Sequence, residues 1–205
     1  QDYVLKEYAV QSELIAYGAD HCQHEILSKQ VLSKYPFLNE NYAFKVCRIE
    51  PENKLDVILK AFSEFPELNI VIVGNWKNST YGIQLKQQFS TFPNIYLLNP
   101  IYNQIDLNQL RCNCLVYIHG HSAGGTNPSL VEAMFLGLPI IAYGVPYNRE
   151  TTQHKAMFFH TSNELVKIIT SLDEKDLKKV SEDMKDIANN NYIWEVIANK
   201  YALLF

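Results

Sequence analysis

The sequence predicts a parallel α/β sheet of about six strands with helices on both faces. Three observations carry that prediction. From Tyr42 onward, short apolar runs alternate with helix-patterned stretches of about ten to fifteen residues, the signature of βαβ units. Within Asn69-Ile-Val-Ile-Val73 the run Ile70–Val73 is unbroken, as expected of a strand buried on both faces. Finally, residues 115–141 read as strand, small-residue loop, helix and strand. In an open α/β sheet the loop after a strand's carboxyl end is where ligands sit.

Taken in order, residues 2–10 set Tyr3, Leu5 and Tyr8 on a loosely helical face. Ser12–Tyr17 reads as a short strand stopped by Gly18-Ala-Asp20. A short helix is expected around Ile26–Ser33, with a break at Pro36. Residues 1–41 therefore form a lead-in, and residues 42–205 one Rossmann-like domain that includes the C-terminal helices. Ala43–Arg48 is the first strand of that domain. Leu55, Ile58, Leu59 and Phe62 follow the i, i+3, i+4, i+7 spacing of a helix. Asn69–Val73 is the second strand, ended by a loop at Gly74 and Asn75. Tyr81–Ser90 is helical, Asn94–Leu98 a strand, and Ile105–Cys112 a helix. The apolar run Leu115–Ile118 then leads into His119-Gly-His-Ser-Ala-Gly-Gly-Thr-Asn-Pro-Ser-Leu-Val-Glu132. A strand starts at Pro139 and another covers Ala156–Phe159. Helices follow at Ser162–Leu172, Glu174–Ala188 and Ile193–Leu204.

The chain has 205 residues, 47% of them hydrophobic, enough for one large core or two small ones. Its net charge of -4 gives no electrostatic reason to expect nucleic acid or an anionic membrane. Any anion site must be local. Cys112-Asn-Cys114 lacks the spacer and second ligand pair of a zinc site, so no metal is expected and the four cysteines are read as reduced thiols. No membrane-length apolar run and no signal peptide is visible, which points to a cytoplasmic protein. A chain starting at Gln1 rather than Met is expected to be a fragment or a processed product.

Two nucleotide motifs are absent. The turn after the first strand, Arg48–Lys54, contains no Gly, which argues against a dinucleotide cofactor. No Gly precedes Lys-Ser or Lys-Thr, so there is no Walker A loop. Gly120-His-Ser-Ala-Gly124 does match the G-x-S-x-G elbow of serine esterases, with Ser122 as nucleophile. An elbow would start the helix at Ser122 and bury Pro128 inside it, at a cost of roughly 3 kcal/mol. Pro128 instead suits the first helical position, with Asn127 as N-cap. His154 and His160 are the only downstream histidines, and no Asp lies between Ser122 and either of them.

The alternative is an anion site. Backbone N–H groups of Gly124, Gly125, Thr126 and Asn127, with the positive end of the helix at Pro128, suit phosphate. Glu132, one turn in, suits paired hydroxyls such as a ribose diol. Arg48 and Lys54 fall at the sheet's carboxyl edge, where they could neutralise a diphosphate. His121 and Ser122 are candidate sugar contacts.

Lys45-Val-Cys-Arg-Ile-Glu-Pro-Glu-Asn53, Val71-Ile-Val-Gly-Asn75 and the 119–141 stretch together resemble the nucleotide-sugar half of GT-B glycosyltransferases of family 4, most of all a rhamnosyltransferase-like branch. The resemblance implies that Arg48 holds the donor diphosphate and Glu132 the ribose. The family's Lys, five residues after the Arg, is Asn53 here, with Lys54 beside it. The family's first Glu falls on Gly124. Ile101 and Tyr102 match the segment beside the base. The resemblance further implies a dTDP-, UDP- or GDP-linked sugar as substrate, a deoxyhexose such as rhamnose among the candidates, and no separate cofactor. The expected product is a polysaccharide or surface glycan. It makes residues 1–41 a hinge from a missing N-terminal acceptor domain, without which the chain is expected to be inactive. Transfer would retain anomeric configuration without metal. Peripheral membrane association is expected, if at all, only of the full-length enzyme. A non-catalytic nucleotide-binding module is the other reading of the same loop.

Overall fold

The computed structural model describes residues 1–205. The lead-in carries two short helices, α1 (Asp2–Tyr8) and α2 (Lys29–Lys34), followed by a 3-10 turn at Pro36–Asn39. No strand forms at Ser12–Tyr17, contrary to the sequence reading. That segment has no buried residue and no neighbouring strand to pair with, and an unpaired strand gains no ladder hydrogen bonds.

From Tyr42 the expected alternation appears: β1 (Tyr42–Val46), α3 (Leu55–Glu64), β2 (Asn69–Val73), α4 (Thr80–Phe89), β3 (Ile95–Leu98), α5 (Gln104–Cys112) and β4 (Val116–His119). It continues through α6 (Pro128–Phe135), β5 (Ile140–Tyr143), α7 (Pro146–Thr151), β6 (Met157–Phe159), α8 (Ser162–Thr170), α9 (Glu174–Asn191) and α10 (Trp194–Ala202). Helix α7, six residues opened by Pro146, is absent from the sequence reading: it has no apolar residue but Pro146 and Tyr147 to set a helical repeat. Helix starts follow local chemistry. Ser79, Asn103, Asn127, Thr161 and Asp173 each accept a backbone N–H from the first turn they cap.

All six strands are parallel, in the order β3-β2-β1-β4-β5-β6. Strand alternation feeds two cores. Ala43, Ile70, Ile72, Val116 and Ile118 face α3, α4 and α8. Tyr42, Phe44, Val71, Val73 and Tyr117 face α6, α9 and part of the lead-in, including Val31 and Phe37. Ile70, Val71 and Ile72 are fully buried, each contributing roughly 1.5–3 kcal/mol of burial. No helix is long and apolar enough to cross a membrane.

The strand order reverses direction between β1 and β4. The connections from these strands leave to opposite sides, so their carboxyl ends bound a crevice.

Candidate functional site

A cavity of about 330 Å³ occupies that switch point. One wall comes from the end of β1 and its loop: Val46, Cys47, Arg48 and Asn53. The opposite wall comes from the loop after β4 and the start of α6: His121, Asn127, Pro128, Ser129 and Glu132. Helix α5 closes the third side with Gln104, Leu107 and Arg111.

The two loops are tied together. The Ser122 N–H donates to the Glu52 carbonyl at 2.7 Å. Gly120 packs so closely that a Cβ there would clash with the Asn53 carbonyl oxygen, so only glycine lets the walls meet. Asn53, standing where the resembled family has Lys, serves the backbone: its Nδ2 donates to the Arg48 carbonyl at 2.9 Å. Arg48 projects into solvent at the mouth, its side chain 79% exposed and 3.7 Å from Glu52. That surface ion pair leaves the guanidinium available to a ligand, since such pairs hold weakly.

Pro128 starts α6, and Asn127 caps it by accepting from the Ser129 N–H at 3.0 Å and the Ser129 hydroxyl at 2.8 Å. The cap consumes a donor of the helix start. Upstream, the N–H groups of Gly124, Gly125, Thr126 and Asn127 donate to no protein acceptor. Gly124 holds φ at +82°, a conformation that favours glycine and turns the loop tip outward. Gly125 and Thr126 border a second cavity of about 400 Å³, shared with Leu14, Pro146, Tyr147, Glu150, Thr151 and Tyr192. The loop thus divides two concavities.

Glu132 lines the crevice with its side chain 22% exposed. Arg111, only 1% exposed, donates from Nη1 to Glu132 Oε2 at 2.5 Å. Its Nη2 donates to Asn108 Oδ1 at 2.6 Å and approaches Cys22 Sγ at 3.6 Å. Burial works against the Arg111 charge, and the Glu132 carboxylate outweighs it, so the guanidinium pKa is held up. His21 Nε2 lies 3.4 Å from Glu132 Oε1. None of Arg111, Gln104, Leu107, His21 or Cys22 was singled out from sequence. One signal existed for Arg111: it lies one turn after Leu107 on the same helix face, and a charge on an apolar face requires a partner.

Other expected residues lie elsewhere. Lys54 does not join Arg48. It takes a left-handed backbone conformation before α3, and its Nζ sits 5.5 Å from the centre of the Tyr143 ring. Ile101 packs against the core and Tyr102 is 84% exposed, so α5 supplies the side wall in their place. Gly74 is buried at the end of β2 with its N–H bonded to the Leu98 carbonyl, and Asn75 caps the following turn by accepting from the Lys77 N–H. Neither reaches the crevice. No hydrogen bond joins Ser122 to a histidine. His154 pairs with Glu150, and His160 packs on Tyr143. With the helix starting at Pro128, the esterase arrangement is not formed.

Behind the crevice lie Lys45 and His119, both 1% exposed. Both ring nitrogens of His119 are buried without a partner. Burial, then the nearby Lys45 and His121, holds the His119 pKa well below 6.5. Burial and Lys45 also lower that of His121. His21, Cys22 and Glu132 offer ligand atoms within 4.8 Å of one another. The Arg111 guanidinium already contacts two of them and places a fixed positive charge where a cation would sit.

Residues 30–194 match the family described as Glycosyl transferases group 1. Glycosyltransferase 1 domain-containing protein 1 of Xenopus tropicalis is 23% identical over 159 residues, covering 76% of this chain and 46% of that protein. The chain thus spans about half the length of the curated relative it matches. Sucrose-phosphate synthase from Thermosynechococcus elongatus superposes with a TM-score of 0.79 at 16% identity, over 99% of this chain and 55% of that one. Anabaena Alr3699/HepE, solved in complex with UDP and glucose, superposes with a TM-score of 0.76 at 18% identity, over 94% and 56%. The likeness identifies the sheet as the Rossmann-like half of a GT-B fold. With the switch-point crevice in place and the match running through every strand of the sheet, the chain belongs to the group 1 glycosyl transferases.

Proposed function

We propose that this chain is the donor-binding half of its glycosyltransferase and holds a nucleoside-diphosphate sugar in the β1–β4 crevice. The observation that carries this reading is the convergence there of the Arg48 guanidinium, the start of α6 at Asn127–Ser129 and one oriented carboxylate, with the unpaired N–H groups of Gly124–Thr126 on the loop that leads into that helix. Arg48 and the N–H groups of Gly124–Asn127 meet the diphosphate, and Glu132 accepts from a ribose hydroxyl. His121, half-buried on the crevice wall, and Ser122, next in the chain, are assigned to the sugar.

In the transfer, the bond from the anomeric carbon to the phosphate oxygen breaks and the diphosphate keeps the electron pair. The acceptor oxygen bonds to that carbon and loses its proton to the leaving diphosphate. Arg48 and the loop N–H groups stabilise the charge that grows on the diphosphate, without a metal. Configuration at the anomeric carbon is retained. Residues 1–41 serve as the hinge to an N-terminal acceptor half elsewhere in the same protein, without which the chain does not transfer sugar. The donor is dTDP-, UDP- or GDP-linked, and rhamnose is the sugar favoured by the 119–132 motif.

Calorimetry with UDP, dTDP and GDP tests the reading. At least one is expected to bind, and Arg48→Ala should weaken it by about 1.5–3 kcal/mol, the value of a charged hydrogen bond. Equal binding by the variant would remove Arg48 from the site. No binding of any of the three would overturn the proposal.

A further inference from the structure

We infer that Arg111 is a positioning residue for the donor's ribose: it clamps Glu132 so that one carboxylate oxygen, Oε1, is presented to the crevice. The lead-in strap at His21–Cys22 completes the clamp. This inference rests on the donor-site reading above, because it assigns Arg111 its role through Glu132.

The geometry is asymmetric. Arg111 holds Oε2, while Oε1, on a side chain that lines the crevice, has no contact from Arg111 and lies 3.4 Å from His21 Nε2. The same guanidinium is fixed through Nη2 by Asn108, one turn earlier in α5. A charge with one anionic partner is drawn to that partner alone, and the remaining neighbours of Arg111 are neutral. Burial pushes the Cys22 thiol up to about 11, with Arg111 pulling it only partly back, so near neutral pH it stays a thiol. Glu132 is therefore the sole counter-charge in contact with the guanidinium.

His21 is oriented from the other end of the chain. The Trp194 indole N–H, which can only donate, points at His21 Nδ1 at 3.4 Å. That contact orients the ring with Nδ1 towards Trp194 and Nε2 towards Oε1, 3.4 Å away. Asp20 accepts from the Trp194 backbone N–H at 2.8 Å, and the Ala19 N–H donates to the Tyr192 carbonyl at 2.6 Å, so the strap is anchored on the α9–α10 junction. On the α5 side, Asn113 Nδ2 donates to the Glu25 carbonyl at 3.0 Å. The carboxylate is thus held between two elements that the sheet alone would not bring together. A freely rotating Glu would lose rotamer entropy on binding a hydroxyl. This one has already lost it on folding.

The test compares whichever of UDP, dTDP and GDP binds with its counterpart lacking all ribose hydroxyls. Wild type and Glu132→Gln establish the ribose contact first. Arg111→Met should then weaken the hydroxyl-bearing ligand about tenfold or more, as for loss of a charge-assisted contact, and leave the other ligand within about twofold. Adding Glu132→Gln to Arg111→Met should cost little further, because the two act as one unit. Arg111→Lys, which keeps the charge without the fork, should fall between and covers the case that Arg111→Met does not fold. His21→Ala should give a smaller loss confined to the same ligand.

A purely structural Arg111 would weaken both ligands alike, or add its loss fully to that of Glu132→Gln. Either result overturns the inference while leaving the donor site standing. If wild type and Glu132→Gln bind both ligands equally, or nothing binds, the donor-site reading itself fails and takes this one with it.

Discussion

His119 should make the fold acid-sensitive in a way a single substitution removes. The ring is 1% exposed, both nitrogens lack a partner, and Lys45 and His121 stand close enough to oppose a further positive charge. Burial first, then those neighbours, puts its folded pKa well below the value of the unfolded chain. A group with a depressed folded pKa contributes stability that is present above its unfolded pKa, near 6.5, and is lost as pH falls towards the folded value. The slope approaches about 1.4 kcal/mol per pH unit once the unfolded ring is protonated, so between pH 7.5 and pH 5 the loss reaches about 2 kcal/mol for as far as the folded ring resists protonation. The assay is urea unfolding of wild type and His119→Phe at half-unit steps from pH 7.5 to 5. Phe keeps a flat ring beside Tyr117, to which the imidazole now stacks, and does not titrate. Any packing cost of the substitution is independent of pH and drops out of the comparison. With an m-value near 2 kcal/mol/M, the midpoint gap between the two proteins should move by about 1 M in favour of the variant across the window. Carboxylates, Lys45 and His121 are common to both. Parallel pH profiles would show that folded His119 protonates freely, and the argument from its burial would be wrong.

Two further outcomes test the architecture of the crevice. Gly120→Ala should destabilise the fold by about 1–3 kcal/mol in thermal or urea melts, because its methyl group would meet the Asn53 carbonyl and Ile58, and it should weaken nucleotide binding by parting the walls. Unchanged melting and binding would show that the two loops are not held by that contact. Asn127→Ala should cost about 1 kcal/mol of stability by uncapping α6, and a melt indistinguishable from wild type would remove Asn127 from the cap.

Residue types and spacing made much of the site legible. Pro128 cannot lie inside a helix, and that alone moved the helix start past Ser122 and set an anion-binding loop against the apparent nucleophile motif as the reading to test. Arg48, His121, Asn127 and Glu132, named from sequence, do line one cavity. Lys54 misled because its place beside Asn53 gives adjacency in sequence and not direction. Its left-handed backbone turns the ammonium towards Tyr143. Ile101 and Tyr102 lie next to the crevice's third wall without forming it, since that wall is the face of α5 beginning at Gln104.

By itself the sequence determined the alternation of strands and helices, because hydrophobic periodicity and capping act over a few neighbouring residues. It also determined the start of α6 and the resemblance that the family match bears out at the level of the group 1 glycosyl transferases. Only the tertiary structure decided that Glu132 is not a free carboxylate. Its partners lie 21 residues upstream at Arg111 and on the far lead-in at His21, and Trp194 near the other end of the chain orients that histidine. Contacts between such distant residues depend on how the sheet brings α5, α6 and the α9–α10 junction together, and no local pattern encodes that placement.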